Sequence, residues 1–430
     1  MFKFLSFNSI SFNRQSVIFA RLFMIQTKTL YISYDGMTDP LGQSQVIPYL
    51  SGLAQNGYDI TLLSTEKKDK LIQNGDMIAK LLKEKGIKWE HILFTKNPPL
   101  LSKFYDLEKL KAKALKLHKQ NNYKLVHCRS YVAAEAGLRL KQRFNIKFLF
   151  DMRGFWVDER VDGGLWNLNN PAYKRLYNWY KKKEAAFISN ADAIVSLTHA
   201  GKKEMLNWKS YSGQQIDVIP CSADFDLFSL TNDDQKNAAR EKTGIAKDAL
   251  VVSYLGSIGT WYMIDEMLCF FKLLKQKNDN AKFLFISNGE HELIKLKALQ
   301  IGINHNDLVL TSGSRKEVPF LSKAADVSLS FIKPCYSKIS SSPTKLGELL
   351  AMGIPVICNS GVGDVKQIVE STHGGLMFDN FDDASFENII QQLSKVINLS
   401  PEEIRNNAFQ IYDLHKSQKQ YLSIYKRLLP

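Results

Sequence analysis

One stretch organises this chain: Ser340-Ser341-Ser342-Pro343-Thr344-Lys345-Leu346-Gly347-Glu348-Leu349-Leu350-Ala351-Met352-Gly353-Ile354-Pro355-Val356-Ile357. Its residue types predict a loop, a helix, a turn and a strand. Ser342 is a good N-cap residue, and Pro343 would then be the first helical residue, where its missing N–H costs nothing. We expect the helix to run to about Met352, Gly353 to end it, and residues 355–358 to form a buried strand.

A polar loop that leads into a helix N-terminus favours a phosphate, because free N–H groups and the helix dipole both attract anions. Lys345 adds positive charge at the third helical position. Glu348 shares its face and lies roughly 7.5 Å into the helix. Together with Ser342 and Thr344, these residues suit a nucleoside diphosphate whose ribose hydroxyls bind the carboxylate. The alternative is an ordinary capped helix with a Lys–Glu surface pair.

The pattern Pro343…Lys345…Glu348…Pro355 resembles the donor-site signature of glycosyltransferase family 4, a group of GT-B enzymes that use sugar nucleotides. In that family the glutamate that matches Glu348 holds the donor ribose. The usual pattern has a second glutamate eight residues earlier, where this chain has Ser340. We therefore expect a Pro-x-Lys-x-x-Glu variant of the motif.

Composition bounds the class of protein. A chain of 430 residues predicts two or three domains, and 45% hydrophobic residues are typical of a globular protein. Five cysteines without a Cys-x-x-Cys pair favour a reducing compartment over a disulfide or zinc framework. The eight histidines show no metal-ligand spacing, so neither a metal site nor a cofactor is expected.

Charge and hydropathy are compatible with several classes of binding partner. No apolar run reaches about 18 residues, so no transmembrane helix is predicted. We interpret residues 1–23 as a disordered extension or a misassigned start, with a targeting peptide as the alternative. The net charge of +14, from 57 basic and 43 acidic residues, favours phosphates, anionic lipid or nucleic acid without choosing among them.

Short apolar runs alternate with amphipathic helices along the whole chain, which predicts parallel strands joined by right-handed crossovers. We expect a helix with Val46, Leu50 and Leu53 on one face. In the first half the predicted strands cover residues 29–34, 60–64, 124–127, 148–151, 193–197 and 217–219. In the second half they cover residues 250–255, 283–287, 308–311, 327–331 and 355–358, and the tail from Pro401 is predicted to be helical.

Two such halves that face each other resemble the GT-B architecture, an α/β fold of two doubly wound Rossmann-like domains. The run from Asp35 to Gln45, and Val218-Ile219-Pro220 followed by Asp224 and Phe228, also resemble family 4. The resemblance covers residues 28–430. It implies an acceptor-side domain over 24–222, a nucleotide-sugar domain over 223–405, and a last helix over 406–430 that crosses back to the first domain.

Further donor-binding candidates follow from the rule that ligands bind at the carboxyl ends of strands in open α/β sheets. Glycines there let a phosphate approach the backbone closely, although each is explained equally by a plain turn. The family usually has Arg and Lys where this chain has Ser257 and Trp261, so Arg315 is a candidate to supply the missing charge. The candidates in these loops are Gly42, Gly256, Ser257, Asn288, Gly289 and Arg315. Ser314 and Glu317 are predicted to form a capping box.

Residues 150–160 group charges around two aromatic rings at a strand end, which suits sugar binding. Many family members have a histidine where Arg153 stands. The resemblance makes Arg153 a candidate to offset charge on the donor or leaving diphosphate, with Asp151 or Glu159 orienting it. These three residues and Lys345 are the predicted catalytic set, and a structural ion-pair cluster is the alternative. His127 is predicted to be an interior histidine.

Two basic amphipathic segments, residues 107–119 and 173–183, have the composition of helices that lie on anionic lipid. The alternative, that each packs on its sheet, is favoured by the residues alone. The resemblance adds weight to lipid, because many such enzymes extend lipid-linked glycans.

The sequence therefore predicts a cytoplasmic glycosyltransferase, with the inner face of the cell membrane as a further candidate location. It would move a sugar from a nucleotide-diphosphate donor to a glycan or lipid-linked acceptor in polysaccharide biosynthesis. The resemblance implies retention of anomeric configuration without a metal. Alternatives are an epimerase of the same fold and a non-catalytic nucleotide or glycan binder. A nucleic-acid binder, whose affinity would fall with a salt slope of about −0.9 per phosphate, ranks last because no recognised module is present.

Overall fold

The computed structural model describes residues 27–98 and 101–430, so the prediction for residues 1–23 lies outside it. Strands and helices alternate through the described chain. The strands are β1 Thr27–Ser33, β2 Tyr58–Glu66, β3 Lys88–Leu93, β4 Leu125–Arg129, β5 Lys147–Asp151, β6 Ala193–Ser196, β7 Ile216–Val218, β8 Leu250–Leu255, β9 Ala281–Ile286, β10 Leu308–Thr311, β11 Val327–Ser330, β12 Val356–Asn359 and β13 Gly375–Phe378.

The helices of the described chain lie between and after these strands. They are α1 Pro40–Gln45, α2 Ile47–Gln55, α3 Lys68–Glu84, α4 Leu101–Asn121, α5 Ser130–Phe144, α6 Trp156–Asp162, α7 Pro171–Asn190, α8 His199–Leu206, α9 Asp233–Thr243, α10 Ile264–Lys277, α11 His291–Gln300, α12 Val318–Ser322, α13 Thr344–Ala351, α14 Val365–Thr372, α15 Asp383–Gln391, α16 Leu393–Ile397, α17 Pro401–Tyr412 and α18 Leu414–Leu428. Two short 3₁₀ turns cover His305–Asp307 and Tyr336–Ser340.

In the described residues the strands form two sheets in which every pairing is parallel. The first has the order β3-β2-β1-β4-β5-β6-β7 and the second β10-β9-β8-β11-β12-β13. Each order reverses direction once, as in doubly wound folds. The predicted α/β class with two doubly wound halves is confirmed.

The strands that were predicted are confirmed to within a few residues, and two others were missed. β3 lies at one edge of the first sheet, and β13 at one edge of the second. An edge strand needs no continuous apolar run, and the sequence of β3, KWEHIL, is half polar. The predicted helix around Val46 is split, because α1 runs from Pro40 to Gln45 and Val46 lies between it and α2.

The last helix, α18, packs against α2 and places Tyr421, Ile424, Tyr425 and Leu428 in the core of the first sheet. Their spacing is that of one helical face. The Tyr421 hydroxyl donates to Asp151 Oδ2 at 2.9 Å. The end of the chain is therefore built into the carboxyl edge of the first sheet.

We expect Tyr421→Phe to lower the free energy of unfolding by about 2 kcal/mol, because it removes a hydrogen bond to a buried carboxylate. Tyr412→Phe is the matched control. Tyr412 is also fully buried in α17, but its hydroxyl has no partner among the described residues, so its removal should be neutral or stabilising. Denaturant unfolding of both variants checks this, and equal losses would contradict it.

Candidate functional site

The strand order of each sheet reverses between β1 and β4 in the first sheet and between β8 and β11 in the second. Ligands of open α/β sheets bind at the carboxyl ends of the strands at such points. In the first sheet this point is flanked by Asp35 and Arg129. In the second, the chain after β11 leads directly into residues 340–357.

Helix α13 begins one residue later than predicted. Pro343 is the N-cap and gives no side-chain cap, Thr344 is the first helical residue and Lys345 the second. The predicted cap by Ser342 is wrong, because its Oγ accepts a hydrogen bond from the Cys221 N–H at 3.2 Å instead. Among the residues that the structure describes, the start of α13 thus has no side-chain cap, and uncapped N–H groups are what an anion site requires.

Glu348 is the best-defined polar group of this helix. Its side chain is 1% exposed and lies between two cations. Lys345 Nζ is 2.8 Å from Oε2, and Arg315 Nη1 is 3.2 Å from Oε1. Each carboxylate oxygen retains a second lone pair for a ligand hydroxyl. The predicted Lys345–Glu348 face is confirmed, and Arg315 is brought to it from the loop after β10.

The loop after β8 packs against the side chain of Tyr254. The Tyr254 hydroxyl donates to the Ser257 carbonyl at 2.7 Å, and a Cβ at Gly256 would lie 2.6 Å from that hydroxyl oxygen. Ser257 itself is exposed. The structure therefore explains Gly256 by the packing of Tyr254 and leaves Ser257 facing solvent.

The remaining donor-binding candidates fall in different settings. Asn288 and Gly289 lie in an exposed loop after β9, where Gly289 has a φ of +117°. Gly42 is buried in α1, and a Cβ there would lie 2.3 Å from the Gly36 carbonyl oxygen. The chain itself thus fills the space beside Gly42.

Ser314 and Glu317 form half of the predicted capping box. The Ser314 N–H donates to Glu317 Oε2 at 2.8 Å, but the helix starts only at Val318. The pair shapes the loop that carries Arg315.

Sequence reasoning missed Glu66, which shapes the loop after β1. Glu66 is fully buried at the end of β2. Its carboxylate accepts from the Met37 N–H at 2.7 Å, from the Thr38 N–H and hydroxyl, and from the Ser64 hydroxyl. The sequence signal that could have identified Glu66 is a glutamate at the end of an apolar strand.

Asp151 and Arg153 meet at the end of β5. Asp151 Oδ1 is 3.8 Å from Arg153 Nη1, and their side chains are 1% and 6% exposed. Burial by itself raises the pKa of Asp151, but Arg153 and His127 outweigh it and hold the pKa below its usual value. Arg153 has a φ of +58°, which is uncommon for a residue with a side chain.

His127 is buried beside this pair, as predicted. Its Nδ1 lies 3.0 Å from the Tyr425 hydroxyl, and its Nε2 is 3.6 Å from Asp151 Oδ2. Burial lowers the pKa of His127 despite the neighbouring carboxylate. The ring is therefore neutral at pH 7.

Glu159 does not join Arg153 but faces the second sheet. The Lys338 ammonium donates to Glu159 Oε1 and lies 3.7 Å from the centre of the Trp261 ring. A Cβ at Gly163 would lie 2.6 Å from the same ring. Glu159 is thus part of a contact between the two halves of the chain rather than a partner of Arg153.

Residues 333–342, here called the interdomain segment, follow β11 and dock on the first half of the chain. The Phe155 N–H donates to Ser340 Oγ at 2.8 Å, and the Ser337 N–H donates to Asp162 Oδ2 at 2.9 Å. The Tyr336 hydroxyl donates to Glu204 Oε1 at 2.8 Å. These bonds hold the carboxyl edges of the two sheets together.

A cavity of about 700 Å³ lies beside the start of α13, between the two halves of the chain. Its lining includes His199, Lys203, Ser342, Asp364 and Lys416. Glu348, Arg315, Lys345 and Arg153 do not line it. The size of this cavity therefore does not locate the chemistry, and the charged residues at the switch points are the better guide.

The two basic segments are confirmed to pack on their sheet. Leu107, Leu110, Ala114 and Leu117 of α4 are buried in the core. In α7, Tyr180 is buried against the rings of Trp156 and Trp166. The rings of Phe104 and Tyr105 in α4 remain exposed.

No helix of the described residues is long and apolar enough to cross a membrane. In the same residues, no group of three or more His, Cys, Asp or Glu side chains is placed to hold a metal ion.

Two family models match the chain in sequence. Residues 44–227 match the model described as Glycosyltransferase Family 4, and residues 235–410 match Glycosyl transferases group 1. No curated protein sequence matches the chain significantly.

Solved structures of similar fold cover nearly the whole chain. Sucrose-phosphate synthase from Thermosynechococcus elongatus is 16% identical, with a TM-score of 0.70 over 94% of this chain and 99% of the other. A glycosyltransferase from Rickettsia africae is 17% identical, with a TM-score of 0.68 over 94% and 99%. HepE from Anabaena, in complex with UDP and glucose, is 13% identical, with a TM-score of 0.66 over 93% and 100%.

The fold and the two family matches define the class. The protein has the GT-B architecture, with a family 4 domain followed by a group 1 domain. It is a glycosyltransferase.

We expect Lys338→Met to lower the free energy of unfolding by about 1–2 kcal/mol, because it removes an ion pair and a cation–π contact. Loss of this contact should also enlarge the radius of gyration in small-angle X-ray scattering. Lys295→Met, which breaks an exposed pair with Glu292, is the control. An equal radius of gyration and an equal free energy of unfolding for the two variants would contradict the prediction.

Proposed function

We propose that the protein moves a sugar from a nucleotide-diphosphate donor to a hydroxyl of a glycan or lipid-linked acceptor, in cell-surface polysaccharide biosynthesis. The observation that carries this is Glu348, which is buried near an uncapped helix start and lies between Lys345 and Arg315. Ribose hydroxyls would bind the carboxylate. The diphosphate would lie at the helix N-terminus beside Lys345, as the Pro-x-Lys-x-x-Glu variant implies.

In the proposed reaction the bond between the anomeric carbon and the diphosphate oxygen breaks, and a bond to the acceptor oxygen forms. The acceptor proton goes to the departing phosphate, and the configuration is retained without a metal. Helix N–H groups, Lys345 and Arg315 would stabilise the charge that develops on the leaving diphosphate. We also propose a donor-binding role for the loop and helix-start residues Ser342, Thr344, Gly42, Gly256, Ser257, Asn288 and Gly289.

At the end of β5 we propose that Arg153 offsets charge on the donor or leaving diphosphate and that Asp151, 3.8 Å away, orients it. Glu159 would act indirectly, because its ion pair with Lys338 holds the two halves of the chain in contact. In this proposal the first domain covers residues 24–222, the second covers 223–405, and residues 406–430 cross back.

The first test is thermal unfolding with UDP, GDP, CMP and ADP. The HepE structures contain UDP or UDP-glucose, so UDP is the first base to test. A ligand at 100 times its dissociation constant should add about 2.7 kcal/mol. Glu348→Gln should weaken binding of the preferred diphosphate about tenfold or more, because a charged hydrogen-bond acceptor is lost.

Glu292→Gln is the matched control, because Glu292 also forms an i,i+3 pair with a lysine but is exposed. It should leave binding unchanged. If no nucleotide stabilises the wild type at millimolar concentration, the donor site is refuted. If a sugar nucleotide is consumed at the same rate without any acceptor, the epimerase alternative replaces the transferase.

We also propose that the enzyme works in the cytoplasm, at the inner face of the membrane. All five cysteines are free thiols, which supports a reducing compartment. In α4, Phe104 and Tyr105 are exposed next to Lys103 and Lys109. Rings beside lysines suit an anionic lipid surface.

Replacing both Phe104 and Tyr105 by Gln should weaken binding to anionic vesicles at least tenfold, because each ring would contribute on the order of 1.5–3 kcal/mol when buried. Co-sedimentation with vesicles of anionic and of neutral lipid measures this. Replacing the exposed Leu296 and Leu299 of α11 by Gln is the control. Equal binding of all three proteins would refute the membrane surface.

A further inference from the structure

The switch point of the first sheet carries an excess of buried positive charge. Arg129 ends β4 with a side chain that is 4% exposed, and Arg153 follows β5 with a side chain that is 6% exposed. Burial disfavours both guanidinium charges and the two charges repel each other, but nearby acidic groups, Asp151 among them, outweigh both effects and raise the pKa of both arginines. The Arg160 guanidinium lies 4.8 Å from the centre of the Trp156 ring and interacts electrostatically with Asp35, which Arg129 contacts through Nε at 3.3 Å. We call Arg129, Arg153 and Arg160 the arginine pocket.

Several N–H groups of the arginine pocket have no acceptor in the part of the chain that the structure describes. They are Arg129 Nη1, Arg153 Nε, Arg153 Nη1 and Arg160 Nε, all buried atoms. A buried donor without a partner costs about 1–3 kcal/mol, and more when it is charged. Such a set is costly to the fold unless an anion binds there.

The protein supplies too few carboxylates for these cations. Asp151 lies 3.8 Å from Arg153, but its other oxygen accepts from Tyr421. Arg153 Nη2 donates to the thiol sulfur of Cys221, a weak acceptor. Asp35 is the second carboxylate, and its side chain is 43% exposed. A third carboxylate, Glu159, lies near Arg160 but is already paired with Lys338. The three guanidinium groups therefore keep a net positive charge at the carboxyl edge.

We propose that the arginine pocket binds a phosphate group of the acceptor, an inference that rests on the proposed transferase function. Guanidinium groups only donate hydrogen bonds, and their planar forks match phosphate oxygens. A neutral sugar hydroxyl, which donates as well as accepts, would leave the charge uncompensated. Arg129 and Arg160 belong to the first half of the chain. Arg153 adjoins the start of α13, because Cys221, which accepts from Arg153, donates its N–H to Ser342. The acceptor phosphate would therefore bind next to the donor diphosphate.

The pocket also gives Asp151 a defined role. Arg153 and His127 hold the pKa of Asp151 below its usual value, so the carboxylate stays ionised beside the bound phosphate. It would then fix the Arg153 fork from one side while the phosphate binds from the other. Asp151 acts here as a positioning residue.

The direct test is calorimetric titration of the full chain with inorganic pyrophosphate. Arg129→Gln should weaken the acceptor-side site at least tenfold, or about 1.4 kcal/mol, whereas Lys345→Gln should leave that site in place. Because Arg129 is buried, the partly exposed Arg160→Gln provides a second variant that keeps the core. The exposed Arg139→Gln is the control. Pyrophosphate binding that survives Arg129→Gln and Arg160→Gln but disappears in Lys345→Gln would overturn the proposal.

Competing ligands identify the source of the phosphate. A hexose 6-phosphate and a sugar diphosphate on a short alkyl chain should both displace pyrophosphate, and the stronger one shows whether the acceptor is a sugar phosphate or lipid-linked. Glucuronic acid carries a carboxylate instead. If glucuronic acid displaces pyrophosphate while neither phosphate ester does, the pocket binds a carboxylate and the phosphate proposal is wrong.

UDP binding separates this proposal from the proposed function. UDP should bind normally to Arg129→Gln and weakly to Glu348→Gln. If the wild type binds UDP but shows no second, acceptor-side site for pyrophosphate, only the arginine pocket is refuted. Absence of UDP binding in the wild type refutes the donor site, whatever pyrophosphate does.

Discussion

The interdomain segment is the contact on which the two candidate sites depend. It follows β11 at the switch point of the second sheet and docks on α6 and α8 of the first half of the chain. Because it leads straight into α13, the contact that joins the halves also fixes the start of the helix that carries Lys345 and Glu348. A displacement of this segment would move the start of α13 relative to the carboxyl edge of the first sheet.

Ser340 lies where the resemblance to family 4 would place a glutamate. Its hydroxyl accepts from the Phe155 N–H and donates to the Ser337 carbonyl. A neutral hydroxyl can be buried in such a contact at little cost, whereas a carboxylate would need a cation. The position is used here to join the two halves of the chain, so the negative charge of the family pattern is missing at this point.

The sequence was sufficient for the features that depend on local pattern. The helix and strand of residues 344–359 follow from apolar spacing and from Gly353, and the two doubly wound sheets follow from the alternation of strands and helices. The cap of Ser342 was mispredicted because a distant N–H, that of Cys221, takes its hydroxyl. The Arg315–Glu348 contact and the link between Glu159 and Lys338 join residues far apart in sequence, where local patterns carry no information. The crowding of Arg129 and Arg153 depends in the same way on how β4 and β5 pair.

The tie between Tyr421 and Asp151 has a consequence for synthesis of the chain. The two residues are separated by 270 positions. The strands of the first sheet are complete once Val218 has been made, yet Tyr421, Ile424 and Tyr425 of its core come from the last helix. Domains generally fold in order as they leave the ribosome. Here the first sheet stays unfinished, with an apolar face and Asp151 uncovered, until Tyr421 has been made. The carboxyl edge of the first sheet thus takes its final form only after the second sheet has been made.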